Sequence, residues 1–229
     1  MFRLLKLKPP NGWNAVGWEL AIVTLGVLIA LGAQELVQSL HWKREVSQTQ
    51  EALDAELSRN LAVFDFTMAQ IPCINGRTEE LRKWAESFRT GKPLRLKHEI
   101  IPLPGFMVRT EAWEIIDGEI ASRIPLQPRL NYAGLYSSMR TFRDVKDRTG
   151  DTWVTIAEFD GSTRLEEADI RKIILATKDL QGMAEILPAF KTTIDRHARE
   201  LGLKPDPQLL KAANPIIPRI QDAACKPYL

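Results

Sequence analysis

Residues 18–36 read WELAIVTLGVLIALGAQEL, an apolar centre with a glutamate near each end. How this stretch is buried decides where the rest of the chain folds. The uninterrupted apolar run, Leu20 to Ala33, spans about 21 Å as a helix, short of the roughly 30 Å of bilayer hydrocarbon. Its flanks extend it. From Val16 to Leu36 the same helix reaches about 30 Å, if Glu19 and Gln34/Glu35 sit near the interfaces and reach outward. Trp13 and Trp18 at one end and Trp42 at the other stand where interfacial anchors belong. A membrane span over 16–40 is the reading adopted. A cleaved signal stays open, because Arg3, Lys6 and Lys8 form a basic leader and Ala30-Leu31-Gly32 is a tolerable small-residue cut site. A buried core helix is the third possibility. The long leader, its two tryptophans and Glu19 argue against cleavage, as does a helical pattern that runs on past the cut.

Positive charge sets the expected orientation. The short N-terminal tail carries three basic residues and no acid before Glu19, whereas Lys43 and Arg44 are offset by Glu35 and Glu45. The bias places the N-terminus in the cytoplasm and residues after 40 outside, which in a bacterium is the periplasm. At 100° per residue, Glu19, Gly26, Ala30, Ala33 and Val37 fall within about 40° of one line. Small residues on a line let two helix backbones approach, and a glutamate there can bond across the contact. These four, Glu19, Gly26, Ala30 and Ala33, are the candidate packing face.

The stretch WELAIVTLGVLIALGAQELVQSLHW resembles the opening of small, uncharacterised proteobacterial single-span membrane proteins, in which a Glu precedes a Leu-Gly-Val-Leu-Ile-Ala-Leu run and a Trp follows the span. The resemblance implies one span and a mostly helical extracytoplasmic part. It implies no activity and carries no functional residues.

Composition bounds the rest. The chain has 229 residues, 45 % hydrophobic and 26 % charged, so a core of normal size is available. A net charge of +2, with basic residues scattered among acids, gives no field to recruit nucleic acid. Cys73 and Cys225 form an even pair, and in an oxidising compartment an even pair reads as a disulfide.

Helical periodicity runs on from His41. Val46, Leu53, Leu57, Phe64, Met68 and Ile71 recur at three-four spacing, with Glu51, Asp54, Glu56 and Arg59 outside. The span should therefore continue into a stalk helix, 41–72, which Pro72 kinks or ends. A second helical piece is expected over 74–89, then an extended connector over 93–108 with room for a short strand. Thr110 should cap a short helix reaching Ser122. Pro128 suits the first turn of the next helix, which Gly150 should bend or end. Thr163 with Glu166 matches a capping box for a long helix through Ile173, Leu180, Leu187 and Leu201, with Pro188 kinking it and Gly202 ending it. A last helix over 206–213 precedes Pro215 and Pro218.

The expected fold is all-α: a cytoplasmic tail (1–15), a transmembrane helix (16–40), and a periplasmic helical domain (41–229) made of the stalk 41–72 and an up-down bundle 74–229. His41, His98 and His197 are far apart, with no Glu-x-x-His pair, so neither metal nor cofactor is expected. His197 reads as a polar boundary residue near a helix end. The acidic pairs Glu79-Glu80 and Glu166-Glu167 suit first helical turns. The aromatic residues Trp84, Phe88, Phe106, Trp113, Tyr132, Tyr136, Phe142 and Trp153 read as core before they read as a ligand pocket. No catalytic set is marked. The expected function is a non-enzymatic accessory or scaffolding subunit in the bacterial inner membrane. Its partners would be the lipid bilayer and either its own copies or a larger membrane complex. The alternatives are a periplasmic ligand-binding or sensory module working through a partner, and a cleaved, secreted helical protein.

Overall fold

The computed structural model describes residues 12–103, 105–116, 118–213 and 225–229, with backbone only at 12–15, 210, 212 and 213. The side chain of Trp13, and Pro215 and Pro218, thus lie outside the described residues. The chain forms two compact units, residues 1–48 and 49–229. Seven α-helices occur among the described residues: α1 (Gly12–Ala69), α2 (Ile71–Ser87), α3 (Glu111–Glu114), α4 (Gly118–Arg123), α5 (Leu126–Ala157), α6 (Glu167–Leu201) and α7 (Pro207–Ala213). A 3-10 turn, Phe88–Thr90, extends α2. There is no strand among the described residues, so the class is all-α.

In the first unit α1 is apolar and bare. Every residue from Val16 to Leu40 is exposed. A helix satisfies its own backbone hydrogen bonds, so such a segment needs no neighbour to keep its geometry.

The second unit is built around α6, which packs against both α5 and α2. Ile170, Ile173, Leu180, Ala184, Leu187 and Ile194 line its buried face at three-four spacing. Around Ile170, Ile173, Leu180 and Ala184 gather Ile74, Leu81, Trp84 and Ala85 of α2 and Trp153 and Ile156 of α5. Each fully buried aliphatic or aromatic side chain of this kind stabilises by roughly 1.5–3 kcal/mol. The ion pairs are surface pairs, such as Arg82–Glu79, Arg82–Glu86 and Lys191–Asp195. Exposed pairs contribute at most about 1 kcal/mol each, so packing holds the unit together. From α1, Leu53, Leu57, Leu61 and Phe64 enter the core, and the Phe64 ring meets Phe142 edge-on at 5.0 Å. Asn60, wholly buried, accepts the Arg109 N–H at 3.0 Å and donates to the Arg109 carbonyl, fixing the connector onto α1.

Several boundaries differ from the sequence reading. The break between α1 and α2 falls at Gln70, not at Pro72. Pro72 sits in the first turn of α2, where its missing N–H costs nothing. The expected 110–122 helix is two short ones, α3 and α4. Thr110 precedes α3 without capping it; its hydroxyl donates to Glu114 Oε1 instead. Gly150 does not end α5, which runs on to Ala157 because Trp153 and Ile156 are buried on the same stripe as Leu135, Met139 and Phe142. The capping box exists three residues later than expected, with Glu166 as the cap and Asp169 as its partner. Leu165 before the cap and Ile170 inside the helix share one buried cluster, a hydrophobic staple that fixes this start. The helix continues across Pro188 and ends at Gly202 in the left-handed region, φ 73°. Asp54 and Glu56 are not outer positions. Asp54 accepts the Tyr132 hydroxyl, and Glu56 accepts the Ala112 N–H at 3.3 Å.

His197 marks the close approach of α5 and α6. Its Nδ1 lies 3.1 Å from Asn131 Oδ1, and a Cβ added to Gly134 would stand 2.7 Å from its Nε2. Burial, with Arg196 beside it, holds the imidazole below its ordinary range, against the opposing pull of Glu200. A histidine whose folded pKa is depressed leaves stability intact above its unfolded value of about 6.5 and lowers it as pH falls through the folded value. The unfolding midpoint should therefore drop on acidification from pH 7 toward 5, and His197→Gln should flatten that decline. Thermal melts across this range check it; an unchanged slope in the variant refutes the assignment.

Candidate functional site

Two features stand out above ordinary packing. One is the bare face of α1. Glu19, Gly26, Ala30 and Ala33 are all exposed, and a Cβ built on Gly26 meets nothing within 4 Å. Trp18 is exposed, whereas Trp42 is half-buried with its ring 5.7 Å from His41. The helix is long and apolar enough to cross a membrane, with none of its apolar window buried. A core helix of a water-soluble domain would be covered, so the buried-core reading does not hold.

The other is a clasp on the C-terminal residues. Cys73, in the first turn of α2, and Cys225 stand at disulfide distance, with Cα atoms 4.9 Å apart and a sequence separation of 152. That separation lies inside the 4.4–6.8 Å window of protein disulfides. One turn along α2, Arg77 is only 3 % exposed. Its guanidinium lies over two rings, 4.7 Å from the centroid of Trp153 and 4.5 Å from that of Tyr228. Its Nη2 donates to the Ile101 carbonyl at 2.8 Å. Burial pulls its pKa down to about 10, with Glu80 opposing, so it stays charged at neutral pH. Two aromatic faces are a favourable setting for a desolvated cation. Glu80 also accepts the Tyr228 N–H at 2.6 Å, and the Tyr228 carbonyl accepts the Lys97 N–H at 2.8 Å. Tyr228 is 1 % exposed, and Leu229 packs on the same cluster. The last residues are therefore held by a covalent pair, a ring on a cation, and two backbone hydrogen bonds.

The sequence reading named Cys73 and Cys225 and missed Arg77, Glu80 and Tyr228 as their neighbours. A signal was present: Arg77 falls on the stripe of Ile74, Leu81 and Trp84, a cation at an apolar position. Of the aromatic residues, Trp84, Tyr132, Tyr136, Phe142 and Trp153 are core. Trp113 stacks on Tyr136 at 5.5 Å and on Tyr132 at 6.4 Å, filling the space between the connector and α5. Burial, with the neighbouring Asp54 and Glu56 carboxylates, raises both tyrosine pKa values. Trp84 and Phe88 also border an open groove of about 710 Å³ between residues 93–99 and the 160–163 turn. His98 sits on that groove, whose lining includes neither of the other histidines. Among the described residues no three His, Cys, Asp or Glu side chains gather as a metal site.

Nothing among protein families, curated proteins or solved structures matches this chain.

The clasp has a measurable weight. A disulfide closing a loop this long should contribute roughly 4–5 kcal/mol by chain entropy. Chemical denaturation with and without reductant should show a loss of that order or somewhat less, and thiol counting on unfolded, unreduced protein should find no free thiol. Tyr228→Ala, with the cysteines intact, should cost about 3 kcal/mol, because it empties a buried aromatic site and strips one face from Arg77. An effect below about 1 kcal/mol would mean that the tail is a passive end.

Proposed function

We propose that this protein is a single-span bacterial inner-membrane protein with a cytoplasmic N-terminus. Its helical domain lies in the periplasm and acts as a non-enzymatic accessory or scaffolding subunit, through contacts of its span and of that domain. The observation that carries the reading is the uncovered apolar segment of α1, from Val16 to Leu40. Hydrocarbon is the medium in which such a surface is stable. The Cys73–Cys225 pairing supports an oxidising compartment for the domain, since cytosolic thiols are kept reduced. Basic residues ahead of the span support the orientation.

The span face is the proposed docking element. Gly26 and Ala30 leave room for a second helix, and Glu19 can form a hydrogen bond across it rather than face lipid.

Alkaline extraction of membranes should leave the full-length chain in the pellet, and protease added to spheroplasts should digest the domain but not the N-terminal tail. Recovery of the intact chain in the soluble fraction would sink the anchored reading; a mature protein lacking the first thirty or so residues would favour a secreted one. Replacing Gly26 and Ala30 with Leu should lower the assembled fraction in native gels from mild detergent at least severalfold. An unchanged assembly pattern would remove the span face from the proposal.

A further inference from the structure

The outer face of α6 carries an arrangement that its own chain does not use. Leu175 is 62 % exposed and Ile186 is 50 % exposed, large apolar side chains on an otherwise polar surface. They stand eleven residues apart, close to three full turns, and so lie near one line. Gly182 falls between them on that line. A Cβ at Gly182 would meet no atom within 4 Å. Nothing in this chain requires glycine there, and glycine is a poor residue for a helix interior. Lys178 and Glu185 flank it on one side of the line, four residues before and three after. Both are exposed, and neither makes an ion pair or hydrogen bond among the described residues. Their neighbours differ: Arg171 pairs with Glu167, Lys172 with Glu158, and Lys191 with Asp195. Leu175 stands between two surface grooves, one of about 660 Å³ reaching Arg82 and Lys178, the other of about 290 Å³ reaching Thr152 and Asp179.

We propose that this face of α6 binds the same face of a second copy, antiparallel, about a two-fold axis at Gly182. The inference rests on the scaffolding reading above and gives it a surface and a partner. Charge selects the arrangement. A two-fold axis crossing α6 in the plane of contact keeps each residue on its own side and reverses its height. Lys178, about 6 Å below Gly182, then meets the second copy's Glu185, about 4.5 Å below it. The two residues make two identical ion pairs, as an isologous interface requires. A parallel pairing would put the two copies' Lys178, and likewise their Glu185, on opposite sides of the seam, where neither meets a partner. Glycine at the crossing lets the two backbones approach, and Leu175 and Ile186 cover the apolar ends of the contact.

The test uses the full chain in mild detergent, with its monomer–dimer equilibrium followed by analytical ultracentrifugation. Lys178→Glu and Glu185→Lys should each weaken the dimer roughly tenfold, and the double variant should restore it, because the swapped charges again meet opposite partners. Gly182→Leu should abolish the dimer while the unfolding midpoint of the monomer holds or rises. Gly182→Cys should crosslink to itself under mild oxidation, and Arg164→Cys should not. The proposal is overturned if the wild-type chain forms no dimer, if the single charge variants dimerise like wild type, or if the double variant is no better than the singles. Dimer loss confined to the Gly26 and Ala30 variants would also overturn it, leaving the span contact standing. Dimer loss confined to the α6 variants would uphold it and leave membrane anchoring to the extraction experiment alone.

Discussion

Apolar surface that no other part of the chain covers is the constraint from which the rest follows. In the second unit the hydrophobic effect is satisfied internally: α6 lays one stripe between α2 and α5, and the connector and the last residues close over what remains. In the first unit the same driving force has no internal outlet, because the side chains from Val16 to Leu40 are all exposed. A soluble monomer rarely leaves so large a contiguous apolar surface open to water.

The second unit spends its polar groups on fixing segments that have little regular structure. Asn60 holds the connector by both backbone groups of Arg109. Thr110 receives a hydrogen bond from Arg143 and gives one to Glu114, linking α5 to the short α3. Arg77 does the same for the C-terminal residues, with ring faces in place of a carboxylate. A buried arginine facing a carboxylate would need close geometry to offset the desolvation of both charges. Two aromatic faces leave only one charge to desolvate, and Glu80 stays on the rim, where it also holds the Tyr228 N–H.

Long periodic elements were legible in the sequence, because burial of one stripe forces a helix to repeat at three and four. Leu53, Leu57 and Phe64 on α1, and Ile173, Leu180, Leu187 and Ile194 on α6, are buried as their spacing demands. The pairing of Cys73 with Cys225 was legible from their even number, given the oxidising compartment that the sequence reading expected. Element ends were less so. Pro72, Gly150 and Thr163 each carry a local preference, and packing overrode each one: the core claims of Trp153 and Ile156 carry α5 past Gly150, and Leu165 with Ile170 sets the start of α6. The surroundings of Arg77 were hidden for another reason. Its partners, Trp153 and Tyr228, come from distant parts of the chain, and only the folded unit brings them together. The α6 outer face is the converse. Leu175 and Ile186 lie about 200° round the helix from the Ile173 stripe, so their phase turns them away from the core, and both are exposed.

Because Tyr228 and Leu229 are integral to the hydrophobic interior, the order of biosynthesis matters. Arg77, Trp84 and Trp153 are synthesised before Tyr228, so they wait, unsealed, until that residue has emerged. Closure of this interior therefore follows synthesis of the segment that carries Cys225 and Tyr228 rather than accompanying synthesis of α2.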